Sequence, residues 1–173
     1  MYILVDVEAD GPVPGLYSMI SIGAVIAEEG LTRTFYRTLQ PISTKWLPEA
    51  LAVSGHTREE CLTFEDPRKA MEAFDDWLKT EVTDKGQRPM FVSDNNGFDW
   101  QFVNYYFWNF SPYDRNPFGH SSTNLGSLYK GMVKDTKKNF KHLRKTLHNH
   151  NPVQDAIGNA EALLHMMNVM GLK

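Results

Sequence analysis

The chain holds one cysteine, Cys61, in 173 residues, so no internal disulfide can form and a reducing, cytoplasmic setting fits. It has no long apolar run, which argues against a membrane span. The N-terminus lacks a basic segment and a cleavage pattern, so no secretory signal is expected. Repeats, low-complexity tracts and an interdomain linker are also missing, and residues 1–173 read as a single domain. What remains is ordinary globular material: 42% apolar, 23% charged and 12% aromatic, enough to bury a proper core.

Charge is scarce in net terms, −3, but not evenly spread. Lys130, Lys134, Lys137, Lys138, Lys141, Arg144 and Lys145 lie within sixteen positions that contain one acid, Asp135. Such a block creates the local field that holds phosphates, although most charge runs are only solvated faces.

Tyr2 to Val7 is apolar on both faces and predicts a central strand. Met19 to Ala27 and Leu31 to Leu39 predict two more, close enough to form an antiparallel meander. Pro48 to Val53 reads as a short helix. Asp66-Pro67 opens a longer one with Ala70, Met71, Phe74, Trp77 and Leu78 at helical spacing. Pro89 to Ser93 predicts a short fourth strand, and Phe98 to Phe110 an apolar helix. The 111–125 region reads as loop with room for one short strand. Asn151-Pro152 starts a last helix that buries Val153, Ala156, Ile157, Ala160, Leu163, Leu164 and Met167. The class is α/β, with a mixed sheet flanked by helices.

Asp6 and Glu8 are two apart at a strand end and therefore share a face. Paired carboxylates raise each other's pKa or need a cation, and an oxygen-only pair suits Mg²⁺ or Mn²⁺. Each remaining candidate has a bland reading of its own. Asp99 reads equally as a helix cap, Asp155 as an acid in a helix first turn, and His150 as an isolated imidazole beside His148.

Together the motifs resemble the DEDDh 3′–5′ exonucleases, the DnaQ-like or RNase T-like superfamily. The residues that carry the resemblance are Asp6-Val7-Glu8, Asn95-Asn96-Gly97-Phe98-Asp99, and His150-Asn151-Pro152-Val153-Gln154-Asp155. Ser21-Ile22-Gly23-Ala24-Val25 and Val53-Ser54-Gly55-His56-Thr57 look like intervening family segments, so the likeness runs along nearly the whole chain. The resemblance is greatest to small stand-alone exoribonucleases. It implies a ribonuclease H-like fold with a mixed five-stranded sheet whose first three strands are antiparallel.

The resemblance also implies roles. Asp6 bridges two divalent cations, Glu8 and Asp155 complete one, Asp99 holds the second through water, and His150 is the general base. A histidine base must be neutral, so activity should rise as pH passes about 6.5. The implied reaction releases nucleoside 5′-monophosphates from the 3′ end of single-stranded nucleic acid. RNA is favoured over DNA, because the chain is a lone small domain. A homodimer is implied as well. Substrate contacts are expected from Ala9, Asp10, Met19 and Asn96, and from Lys137, Lys138 and Lys141 in the basic block. Asp94 departs from the histidine that many members carry there and is read as pointing to backbone or solvent. A non-catalytic nucleic-acid-binding module and a phosphohydrolase of small nucleotides are the competing readings.

Overall fold

Strand β1 (Tyr2–Ala9) is the centre of the molecule, and its alternation divides the core. A computed structural model describes all residues, Met1–Lys173. Ile3, Val5, Val7 and Ala9 face one hydrophobic layer, and Leu4 faces the other. By the two-residue period of a strand, Asp6 and Glu8 continue the Leu4 side.

Strand β2 (Met19–Ile26), buried throughout, runs antiparallel to β1, and β3 (Thr34–Thr38) runs antiparallel to β2. On the other edge of β1, β4 (Met90–Ser93) and then β5 (Ser122–Asn124) are added in parallel. The order is β3-β2-β1-β4-β5, the mixed five-stranded sheet of a ribonuclease H-like fold. The third strand is shorter than its sequence implies, because Leu31 takes a left-handed turn (φ 49°) after Gly30.

The helices are α1 (Pro48–Val53), α2 (Arg58–Cys61), α3 (Pro67–Glu81), α4 (Asn96–Phe110), α5 (Leu125–Val133) and α6 (Pro152–Asn168). Helix α3 starts where Asp66 accepts from the Arg68 amide. Helix α6 starts where Asn151 accepts from the Gln154 amide, with Pro152 at its first position. Phe74 of α3 and Phe102, Tyr106 and Phe107 of α4 are fully buried against one face of the sheet. Each fully buried apolar side chain of this size contributes roughly 1.5–3 kcal/mol. Ala156, Ala160, Leu163 and Met166 of α6 cover the other face with Tyr129 of α5.

Gly23 is the hinge of this second layer. A Cβ there would lie 2.2 Å from the Val153 nitrogen and 2.3 Å from the Pro152 carbonyl carbon. The missing side chain lets the first turn of α6 rest directly on β2. Two elements escape the sequence periodicity, the one-turn helix α2 and helix α5, which begins at the capping Asn124 and enters the basic block.

Candidate active site

Asp6 is paired in register with Gly23 of β2, and Glu8 with Ser21. The ladder slips between Glu8 and Ala9, an irregularity of the kind that re-aims side chains beside functional sites. Because α6 lies against Gly23, Asp155 in its first turn reaches the same place. Carboxylate oxygens of Asp6, Glu8 and Asp155 come within 4.8 Å of one another. Asp99 arrives from the first turn of α4. Its Oδ1 accepts from the Val7 amide at 3.3 Å, which ties it to β1 between the two strand acids.

Bringing these four acids out of water is expensive, and their proton affinities show it. Burial, then the charges of Asp99, Glu8 and Asp155, push the Asp6 carboxyl well above the usual carboxylate range. Burial first, and Asp155 and Asp99 next, raise Glu8 to about 8. Burial raises Asp99 to about 7 against hydrogen bonds that favour its charged form. Asp99 Oδ2 and Asp155 Oδ2 are buried with no hydrogen-bond partner. Partnerless carboxylate oxygens in such surroundings fit a hard divalent cation, which takes oxygen ligands and supplies the missing positive charge.

Two imidazoles stand over the carboxylates. His150 occupies a left-handed backbone conformation (φ 60°) just before the cap of α6, and its Nδ1 lies 3.6 Å from Glu8 Oε1. His148 Nδ1 lies 2.9 Å from Asp155 Oδ1. Their rings meet edge to face with centroids 4.3 Å apart, and both remain about half exposed, 48% for His148 and 47% for His150. Acids, histidines and the apolar Ala50, Val53 and Phe98 line a cleft of about 310 Å³.

The RNase_T family model, described as an exonuclease, matches residues 3–163. The chain belongs to the RNase_T exonuclease family. A 3′-5′ DNA exonuclease of Escherichia coli, Cap18, is 39% identical over 133 residues, 76% of this chain and 69% of Cap18. The nuclease domain of 3′hExo, a DEDDh family member bound to rAMP, superposes with a TM-score of 0.78 at 17% identity, covering 99% of this chain and 94% of that one. Escherichia coli Exonuclease I bound to a dT13 oligonucleotide superposes with a TM-score of 0.66 at 17% identity, covering 95% of this chain and 40% of that one. The protein is therefore a DEDDh 3′–5′ exonuclease of the DnaQ-like group.

In this exonuclease the expected substrate contacts divide. Ala9 lines the cleft. Asp10 does not reach it. Asp10 is fully buried, accepts from the Ser18 amide at 2.5 Å and pairs with Arg58 at 2.6 Å, fastening the loop after β1 to α2. Met19 is fully buried in the core, and its amide donates to the Tyr106 hydroxyl. The Asn96 side chain is used up between α4 and β5, donating to the Thr123 carbonyl and accepting from Ser122 Oγ. Lys137 and Lys138 border a separate groove with Tyr129 and His142, and Lys141 is exposed beside it. Tyr106 and Phe107 are core, whereas Trp108 is 54% exposed.

Asp94 turns neither to backbone nor to solvent alone. Its side chain accepts from Arg144 at 2.8 Å within the cleft. Arg144 is the site residue that sequence reading passes over, because it is hidden in a run of lysines. The available signal is that it is an arginine, whose planar fork suits a buried, two-partner role that lysine fills poorly.

Proposed function

We propose that this exonuclease removes nucleotides from the 3′ end of single-stranded nucleic acid, DNA before RNA, with two divalent cations and a histidine base. The observation that carries the reading is the convergence of Asp6, Glu8 and Asp155, with two partnerless buried oxygens, beneath a pair of imidazoles. The preference for DNA rests on the 39% identical relative, which is named as a DNA exonuclease. It replaces the preference for RNA that chain size alone favoured.

Asp6, Glu8, Asp99 and Asp155 would hold Mg²⁺ or Mn²⁺. Bound there, such ions neutralise phosphoryl oxygens, lower the pKa of water and support the leaving alkoxide. The protein's own groups do the rest. His150, next to Glu8, takes the proton of the attacking water at Nε2. His148, against Asp155, packs on the His150 ring and limits its rotation. Ala50, Val53 and Phe98 offer an apolar wall to the terminal sugar and base. Lys137, Lys138 and Lys141 hold the phosphate backbone outside the cleft. Their joint change to alanine weakens binding and flattens its salt dependence.

Matched single-stranded DNA and RNA of one sequence, labelled at the 5′ end and incubated with Mg²⁺ or Mn²⁺, test the proposal. A ladder shortening stepwise from the 3′ end is expected, faster on DNA. Retardation without shortening would mean a binding module, and hydrolysis confined to mononucleotides would mean a phosphohydrolase.

A further inference from the structure

Arg144 is the only arginine or lysine lining the cleft, and its side chain is 7% exposed. One nitrogen, Nη2, serves two elements. It donates to Asp94 Oδ2 at the junction of β4 and α4, and to Asn159 Oδ1 on α6. The Phe140 ring lies under the guanidinium at 5.1 Å. Gly158 makes the space, since a Cβ there would stand 3.3 Å from Arg144 Cδ and 3.0 Å from the Thr146 carbonyl oxygen.

Four and six residues further on, the same loop presents His148 and His150. Its other links run to α6 and, through His150, to Glu8 of β1. The amides of Lys145 and Thr146 donate to Glu161 at 2.6 and 2.8 Å, and the Asn149 amide donates to Asp155 at 3.2 Å. Only Arg144 carries the loop across to the β4–α4 junction, beside which Asp99 projects from the first turn of α4.

We propose that Arg144 is a positioning residue for hydrolysis, bridging Asp94 and Asn159 so that the histidine-bearing loop keeps a fixed place relative to Asp99. The proposal rests on the exonuclease reading above and adds a residue to it. Asp94 is the other half of the device. The acid at position 94 is matched by an arginine fifty positions later. The assignment to the loop rests on Nη2, which is held by two protein oxygens from different elements, while Nε is buried without a partner.

The test compares Arg144→Gln, Asp94→Asn, their combination and Arg144→Lys. Each is measured by steady-state hydrolysis of a single-stranded oligonucleotide, by melting, and by hydrogen exchange of residues 145–150. The two single changes should lower kcat at least tenfold, with KM within about twofold of wild type. The double variant should be no worse than the poorer single, because both remove one link. Arg144→Lys should recover part of kcat, since an ammonium can reach one of the two oxygens. Exchange over 145–150 should quicken in Arg144→Gln while that of α3 stays unchanged.

A raised KM with kcat retained would make Arg144 a substrate contact and overturn the proposal. So would additive losses in the double variant, or loop exchange identical to wild type. A lowered melting temperature with full kcat in the folded protein would also overturn it. Wild-type protein without nuclease activity would sink the exonuclease reading, and the exchange measurement would still decide whether Arg144 tethers the loop.

Discussion

At the scale of single residues the site is a contest between burial and charge. Asp6 bears most of it, surrounded by three other carboxyls and raised well above its ordinary pKa, with burial the largest cause. Asp6→Asn removes that penalty and one ligand together. The metal-free variant should melt higher than metal-free wild type, while Mn²⁺ no longer raises its melting temperature and turnover is abolished. Melting curves with and without Mn²⁺ check this, and turnover at the wild-type rate would refute the ligand role. His150 needs a substitution that keeps its left-handed backbone, and asparagine tolerates that conformation where alanine is strained. His150→Asn should lower kcat by about 10²–10⁴, the usual share of a general base. His148→Asn should cost about tenfold or less, because it removes a neighbour of the base. Equal losses in single-turnover rates would leave the base unassigned between them.

Among elements, the decisive contact is helix α6 on strand β2. A methyl group at position 23 has backbone on its far side, 2.2 Å away, and backbone cannot swing aside as a long side chain can. Gly23→Ala should therefore destabilise by about 3 kcal/mol, at the upper end for overpacking. It should also lower kcat by more than a hundredfold as Asp155 is lifted from Asp6 and Glu8. Gly131→Ala on α5 is the matching control. Its Cβ would meet nothing within 4 Å, and the change should be neutral or stabilising by up to about 1 kcal/mol. Urea titration separates the two. The same contact explains what sequence could reveal. Strand alternation put Asp6 and Glu8 on one face, and the Asn-Pro start of α6 placed Asp155 in a first turn, but only the resemblance of the combined motifs grouped these acids as one expected ligand set. The places of Asp10 and Arg144 were not legible. Their partners lie 48 and 50 positions away, and a buried ion pair between distant segments leaves no periodicity to read. Met19, expected near the terminal nucleotide from the resemblance, is fully buried with its amide on the Tyr106 hydroxyl, a partner 87 positions away.

For the whole molecule, the buried acids make stability a function of pH and of divalent cation together. Folding raises the carboxyls of Asp99 and Glu8, to about 7 and about 8, so the folded protein binds their protons more tightly than the unfolded chain does. That contribution is complete below the ordinary carboxylate range near 4 and is lost as pH climbs through 7 and 8. The metal-free protein should thus melt progressively lower between pH 5 and pH 8.5. A divalent cation replaces the protons, binds the ionised site best, and stabilises by mass action. At a hundred times its Kd the cation is worth about 2.7 kcal/mol, or roughly 5–10 °C in a domain of this size. The Mn²⁺-induced rise in melting temperature should therefore be large at pH 8 and small at pH 5.5, where protons hold the oxygens. Calorimetry over that range, with the cation removed by chelator and then restored, measures both slopes. A metal-free melting temperature that does not fall with pH would show that these carboxyls are not strained by burial. An equal Mn²⁺ increment at both pH values would show that cation and proton do not compete for one site, and the fourfold acidic centre would lose its role.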